Sequence, residues 1–213
     1  MDVERPGAEQ WVPADADVDH LREAVQGCRG CELWRDATQA VFGDGEAPAR
    51  MMLVGEQPGD KEDLAGEPFV GPAGRVLAQA LDEAGIPRER VYLTNAVKHF
   101  RFEQRGKRRI HQRPDAGNIS ACRPWLEAEF AAVRPAVIVC LGATAARAVL
   151  GRVVKIGAER GRPIEAEGRT VVITIHPSAV LRLRDSSERA AAVAALAADL
   201  RTAADVSATA DSA

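Results

Sequence analysis

Four short apolar runs, each leading into a loop and then a helix-forming stretch, constrain this chain more than any other feature. They are ARMMLVGE (Ala49 to Glu56), RVYLTNAV (Arg90 to Val97), AVIVCLG (Ala136 to Gly142) and RTVVITIHPSAVL (Arg169 to Leu181). Each has the length of a buried strand and falls well short of the ~20 apolar residues of a membrane span. Helical patterns separate them. Pro72 to Ala84 places Val76, Leu77, Ala80 and Leu81 on one face, with Pro72 suited to the first turn and Gly85 to the C-terminal cap. Asp115 or Asn118 can cap a helix to about Val133, ATAARAVL follows the third run, and Val193, Leu196 and Leu200 stripe a helix from about Ser187 to Ala203. Strands alternating with helices predict a three-layer α/β/α fold around a central, mainly parallel four-stranded sheet.

The expected organisation is a flexible N-terminus over 1–16, one domain over 17–203 and a disordered Ala/Ser/Thr/Asp tail over 204–213. The chain has 213 residues and a net charge of −3, which argues against wholesale coating of DNA but leaves room for a local basic stripe. The N-terminus is acidic and lacks the pattern of a secretion signal, so the expected location is cytoplasmic, with no membrane association. In that compartment Cys28, Cys31, Cys122 and Cys140 are read as a four-cysteine metal site rather than as disulfides. One close C-x2-C pair with two distant cysteines does not distinguish zinc from an iron–sulfur cluster.

In a parallel sheet, ligands bind at the carboxyl ends of strands. Three notable segments sit there: GEQPG after the first run, Asn95 at the end of the second and HPS after the fourth. The Gly and Pro residues of GEQPG let the backbone turn sharply and expose amides, but the loop is no P-loop, because no G-K-[ST] follows. Phe69 lies in the Gly-rich GEPFVGPAG, where stacking on a planar ligand competes with a core role. His176 alone reads as a strand-end histidine bonded to backbone. QRGKRRIHQRP gathers Arg105, Lys107, Arg108, Arg109 and Arg113 around His111, the pattern of a polyanion-binding loop.

Taken jointly, GEQPGDKEDLAGEPFVGPAGRVL, LTNAVKHF, HPSAVLR and the four cysteines resemble the uracil-DNA glycosylase superfamily, family 4, the iron–sulfur type, from about Cys28 to Arg182. Gln57 and the insert KRRIH look like its UdgX subgroup, whose members excise uracil and become covalently attached to the DNA through the histidine of that insert. The resemblance implies a 4Fe-4S cluster on the four cysteines and uracil-containing DNA as partner, single-stranded preferred, with a monomeric protein. It implies that Phe69 stacks on uracil and Asn95 reads its O4 and N3–H. Gly55, Gln57 and Asp60 line or close the pocket, and His176 donates to O2. Lys107, Arg108, Arg109 and Arg113 would hold phosphates, His111 would capture the sugar, and Glu56 would bond the other ring nitrogen of His111 and set its tautomer. Two alternatives stay open: a turnover glycosylase in which His111 only touches DNA, and a non-catalytic nucleic-acid binding module.

Overall fold

The computed structural model describes residues 4–209. A 3-10 turn at Glu9–Trp11 precedes α1 (Val18–Ala24), whose first turn is capped by the Asp17 carboxylate accepting from the His20 amide at 2.9 Å. The order then runs β1 (Met51–Gly55), α2 (Asp60–Ala65), α3 (Pro72–Ala84), β2 (Val91–Asn95), β3 (Phe102–Arg105), β4 (Arg108–His111), α4 (Ala116–Val133), β5 (Val137–Leu141), α5 (Ala143–Leu150), α6 (Ile156–Glu159), β6 (Pro163–Ala166), β7 (Arg169–Thr174), α7 (Pro177–Leu181) and α8 (Ser186–Thr209).

The main sheet has the order β2-β1-β5-β7-β6, with β6 antiparallel to β7 and the other neighbours parallel. It therefore has five strands, not four. The fifth is short, carries Pro163 and Glu165, and alternates exposed and half-buried residues, all marks of an edge strand without a buried apolar run. Side-chain alternation splits the core. Met52, Val54, Tyr92, Ile138, Cys140 and Ile173 pack with Leu21 of α1, Trp125 and Phe130 of α4 and Ala145 of α5. Met51, Leu53, Leu93, Val139, Leu141 and Val172 pack with Leu77 and Leu81 of α3, Val180 of α7 and Leu196 and Leu200 of α8. Both faces are covered, as a parallel sheet requires.

Other boundaries move. The helix expected to stop near Ala203 continues to Thr209, because nothing in its Ala-rich sequence breaks it, and Ala203 and Ser207 are buried. The described part of the expected tail is thus helical, and 210–213 lie outside the described residues. Residues 4–16 are not loose. The Gly7 amide donates to Gly30 O at 3.0 Å, Ala8 is buried, and Arg5 bonds the carboxylates of Glu32 and Asp115 at 2.8 and 2.7 Å. Residues 1–3 of the expected flexible segment lie outside the described residues. The basic loop is a β-hairpin, a separate two-stranded sheet closed by Gly106 at φ +58°.

Asp115 ties these parts together. It forms a capping box with Asn118 at the start of α4 and receives Arg5 and Arg101. Burial pushes its carboxyl upward, but the bonds from Arg5, the Asn118 amide and Arg101 outweigh this and hold it at about 2. A depressed carboxyl favours the folded state above its unfolded value of about 4, and that contribution is lost as pH falls toward 2. The thermal midpoint of Asp115→Asn should therefore be lower than that of the parent at neutral pH and decline less between about pH 4 and pH 2. An equally steep decline in the variant would place the acid sensitivity elsewhere.

Candidate active site

The carboxyl ends of β1, β2, β5 and β7 meet in one place. Gly55 ends β1 in register with Asn95 at the end of β2. A methyl group on Gly55 would lie 2.3 Å from Asn95 Oδ1 and 2.8 Å from Phe69 Cζ. Only glycine fits there, and Gly55, Asn95 and Phe69 close on one another. Phe69 has φ +59°, uncommon for a bulky residue, and α3 approaches it so closely that a Cβ on Gly74 would sit 1.6 Å from its carbonyl oxygen. The peptide linking Asn95 to Ala96 donates its N–H to Gly55 O at 2.9 Å, and the Val97 amide donates to Glu56 O at 3.1 Å. One planar aromatic ring and one buried amide, fixed side by side, can receive a flat polar ring.

His176 lies between β7 and α7. Its Nδ1 accepts from the Ser178 amide at 3.1 Å, the backbone bond its strand-end position suggests, and lies 2.8 Å from Ser178 Oγ. Accepting at Nδ1 places the ring proton on Nε2, so the other edge of the imidazole is a neutral donor. Burial pushes its pKa down to about 4, with Glu56 opposing and His111 and Arg182 assisting. His176, Glu56 and His111 are thus electrostatic neighbours.

Gln57 governs the hairpin. Its amide nitrogen donates to Arg101 O at 3.1 Å and Gln112 O at 3.0 Å, and its carbonyl accepts from the Arg101 amide at 3.2 Å. These bonds clasp both ends of β3–β4. The same nitrogen lies 3.0 Å from His111 Nε2. Both protons of that nitrogen go to the Arg101 and Gln112 carbonyls, so its approach to His111 is a close contact and not a third donation. Glu56 Oε1 is 3.6 Å from that same Nε2, outside hydrogen-bond range. This corrects the expectation that Glu56 bonds the other ring nitrogen. Glu56 Oε2 instead accepts from Thr144 Oγ1 of α5 and lies 3.4 Å from Arg113 Nε. Gln57 does not offer its amide to an open pocket either, since the hairpin takes it up and only 7% of the residue is exposed.

The cations of the hairpin differ in availability. Arg109 bonds Asp60 Oδ1 at 2.6 Å and Asp63 Oδ2 at 2.5 Å, and its guanidinium lies over Phe100 and Phe102. It is anchored onto α2 through Asp60 and Asp63 and so is not the free phosphate ligand expected. Arg105 pairs with Glu103 at 2.9 Å. Lys107 and Arg108 are exposed at the tip and form no ion pair among the described residues. With Asp60, Leu64 and Arg109 they line an open cavity of about 490 Å³. His111 itself is half exposed, with its ring centroid 5.9 Å from that of Phe100.

The profile of the Uracil DNA glycosylase superfamily matches residues 42–201. The chain belongs to the uracil-DNA glycosylase superfamily. It is 40% identical over 174 residues to a Type-4 uracil-DNA glycosylase of Thermotoga maritima, covering 81% of this chain and 87% of the relative. It is 36% identical over 174 residues to one of Pyrobaculum aerophilum, covering 78% and 85%. It is 37% identical over 182 residues to one of Archaeoglobus fulgidus, covering 80% and 88%.

The cysteines of this superfamily member are all free and buried, and all lie in the core on the α4 side of the sheet. The Lys98 amide donates to Cys122 Sγ at 3.3 Å and Trp125 Nε1 to Cys28 Sγ at 3.2 Å, bonds that favour sulfur carrying negative charge. Burial pushes the Cys122 thiol up to about 12 and raises Cys31 and Cys140 as well. Among the described residues no three His, Cys, Asp or Glu side chains are grouped to hold a single metal ion.

Three contributors escaped the sequence. Thr144 holds Glu56, Asp63 anchors Arg109, and Arg101 supplies the backbone that Gln57 clasps. Thr144 follows Gly142 at the carboxyl end of β5, so topology alone pointed to it. Asp63 and Arg101 carry no such signal. The Ser178 bond and the burial of His176 lead to a prediction about its titration. Nitrogen NMR should show an imidazole protonated at Nε2 that stays neutral down to about pH 4. A midpoint near 6.5 would refute its burial.

Proposed function

We propose that this superfamily member excises uracil from DNA and then retains the abasic strand through a covalent bond from His111, as the UdgX-like reading of its sequence implies. The observation that carries the proposal is the placement of His111. Its Nε2 lies 3.0 Å from Gln57 Nε2 and 3.6 Å from Glu56 Oε1, at the same strand edge as the neutral donor His176.

The chemistry follows from these groups. The target nucleotide leaves the stack, at a cost of a few kcal/mol in a duplex and less in a single strand, which makes single-stranded substrate the preferred one. Phe69 stacks on uracil, and the Asn95 amide matches O4 with a donor and N3–H with an acceptor. Cytosine presents the reverse pattern and leaves that buried amide unpaired. The bond from C1′ to N1 breaks with its electron pair leaving on uracil. His176 Nε2–H stabilises the negative charge at O2. The Glu56 carboxylate stabilises the positive charge left on the sugar. The lone pair of His111 Nε2 then forms the new bond to C1′, and the imidazolium sheds its Nδ1 proton to solvent. Gln57 does no acid–base work; it holds the hairpin so that His111 faces the sugar. Lys107 and Arg108 take flanking phosphates.

The four cysteines are read as the seat of a 4Fe-4S cluster. Four buried free thiols with N–H donors to two sulfurs suit it. All four thiols are free and buried in one part of the core. When bound, the cluster supplies structural cross-linking between the N-terminal segment, α4 and β5.

A second reading, a turnover glycosylase, is favoured by the relatives, which are named Type-4 uracil-DNA glycosylases. One gel separates the two. Protein mixed with a uracil-containing single-stranded oligonucleotide, beside a thymine control, is denatured with heat and detergent. A shifted band seen only with uracil and lost in His111→Ala is expected. Absence of the band, with alkali-cleavable abasic DNA accumulating beyond the protein concentration, would establish turnover and retire the covalent role of His111.

A further inference from the structure

The mechanism leaves unused a complete ion pair at the centre of the molecule. Lys98 and Glu129 have fully buried side chains and pair with each other. Glu129 Oε1 also accepts from Thr94 Oγ1 at 2.8 Å and Tyr92 OH at 3.2 Å. The Lys98 ammonium further donates to Thr94 Oγ1 at 2.8 Å and to the backbone carbonyl of Asn95 at 2.8 Å. Burying two such ions costs several kcal/mol each before their attraction is counted, and apolar residues of the same shape often stabilise a core as well. Stability alone is therefore a weak reason for this pair.

Its position supplies a better one. The carbonyl of the peptide between Asn95 and Ala96 is held by the Lys98 ammonium, and its N–H is held by Gly55 O at 2.9 Å. A planar peptide fixed at both ends cannot rotate, so the direction in which the Asn95 side chain leaves the backbone is fixed as well. Lys98 is itself immobile. Its carbonyl accepts from the Val41 amide at 2.8 Å, and its amide donates to Cys122 Sγ at 3.3 Å. We infer that Lys98, locked by Glu129, is a positioning residue that holds the Asn95 amide in register for reading the base. This rests on the proposed base-reading role of Asn95.

The test uses the full chain carrying Lys98→Met with Glu129→Gln. The pair removes both charges together, and Gln keeps an acceptor for Tyr92 and Thr94. Thermal midpoint, iron and sulfide content, and single-turnover uracil release as a function of oligonucleotide concentration are measured beside Asn95→Ala. Midpoint, iron content and half-saturating DNA concentration are expected to stay near those of the parent, because the Cys122 bond comes from the Lys98 backbone and phosphate contacts lie elsewhere. The saturating rate is expected to fall about 10- to 100-fold, the scale of a misplacement near 1 Å. Adding Asn95→Ala to the double variant should lower the rate little further than Asn95→Ala alone, since both act through one amide. Should the double variant not fold, Glu129→Asp keeps the charges while drawing Lys98 off the Asn95 carbonyl, and a several-fold fall in the saturating rate at unchanged midpoint is expected. A parent-like rate in either folded variant, or a full multiplicative loss on combination with Asn95→Ala, overturns the positioning role. A parent-like rate in Asn95→Ala itself overturns base reading by Asn95, a different failure visible in a different lane.

Discussion

Four parallel strands covered on both faces leave unpaired polar side chains no room except where the strands end. Every residue of β1, β2 and β5 is buried, and almost all are apolar. The exceptions gather at the carboxyl edge: Thr94 and Asn95 on β2, Glu56 and Gln57 after β1, Thr144 after β5, His176 after β7. These strands are neighbours in the order β2-β1-β5-β7, so residues from distant stretches of chain share one small volume. Glycine makes the convergence possible at Gly55, where Asn95 and Phe69 approach, and at Gly142, where φ is +93° and a Cβ would lie 3.0 Å from His176 Cβ. The same edge carries Asn95, Phe69 and the root of the hairpin.

Gln57 limits the chemistry available at that edge. An ionisable side chain there could activate water. An amide cannot ionise near neutrality, and its hydrogen-bonding capacity is spent on the two ends of β3–β4. Loss of that clasp would leave the hairpin held mainly by Arg109 on Asp60 and Asp63, at its outer side. The five cations around His111 thus divide by task. Arg109 is structural, Arg105 pairs within its own strand pair, Arg113 balances Glu56, and Lys107 and Arg108 remain for a polyanion. A net charge of −3 is compatible with this, because only the exposed tip needs to be positive.

Much of the scaffold was legible in the sequence, because its signals are local. The spacing of Val76, Leu77, Ala80 and Leu81 between Pro72 and Gly85 gives α3 its observed bounds, and of the two candidate caps of α4 Asp115 takes the N-cap position while Asn118 completes a capping box with it. The hairpin was hidden because its outward face is charged and its inward face is covered by stacked Phe100 and Phe102, neither of which alternates in an apolar run. Helix α2 was hidden inside a Gly/Pro-rich stretch, although its acidic first turn, Asp60, Glu62 and Asp63, is the pattern a helix N-terminus favours. Which carboxylate each arginine finds is a question of tertiary distance. That is why Arg109 read as a DNA contact and proved to be an anchor.

The N-terminal segment joins the cysteine region to the site by a chain of contacts that composition alone would not suggest. Glu32 directly follows Cys31 and bonds Arg5 and the Asn118 side chain. Arg5 reaches on to Asp115, which also receives Arg101 at 2.9 Å. Arg101 is the residue whose backbone Gln57 clasps, one position before the hairpin begins. Two arginines against two carboxylates leave this half-buried relay neutral overall, without a desolvated excess charge. On the other side of the same region, Cys122 accepts from the Lys98 backbone three residues beyond Asn95. The segment bearing Cys28 and Cys31 and the helix bearing Cys122 thus border different parts of the edge, the first the hairpin and the second the Asn95 segment. A group held jointly by the four thiols would tie those two parts of the edge together.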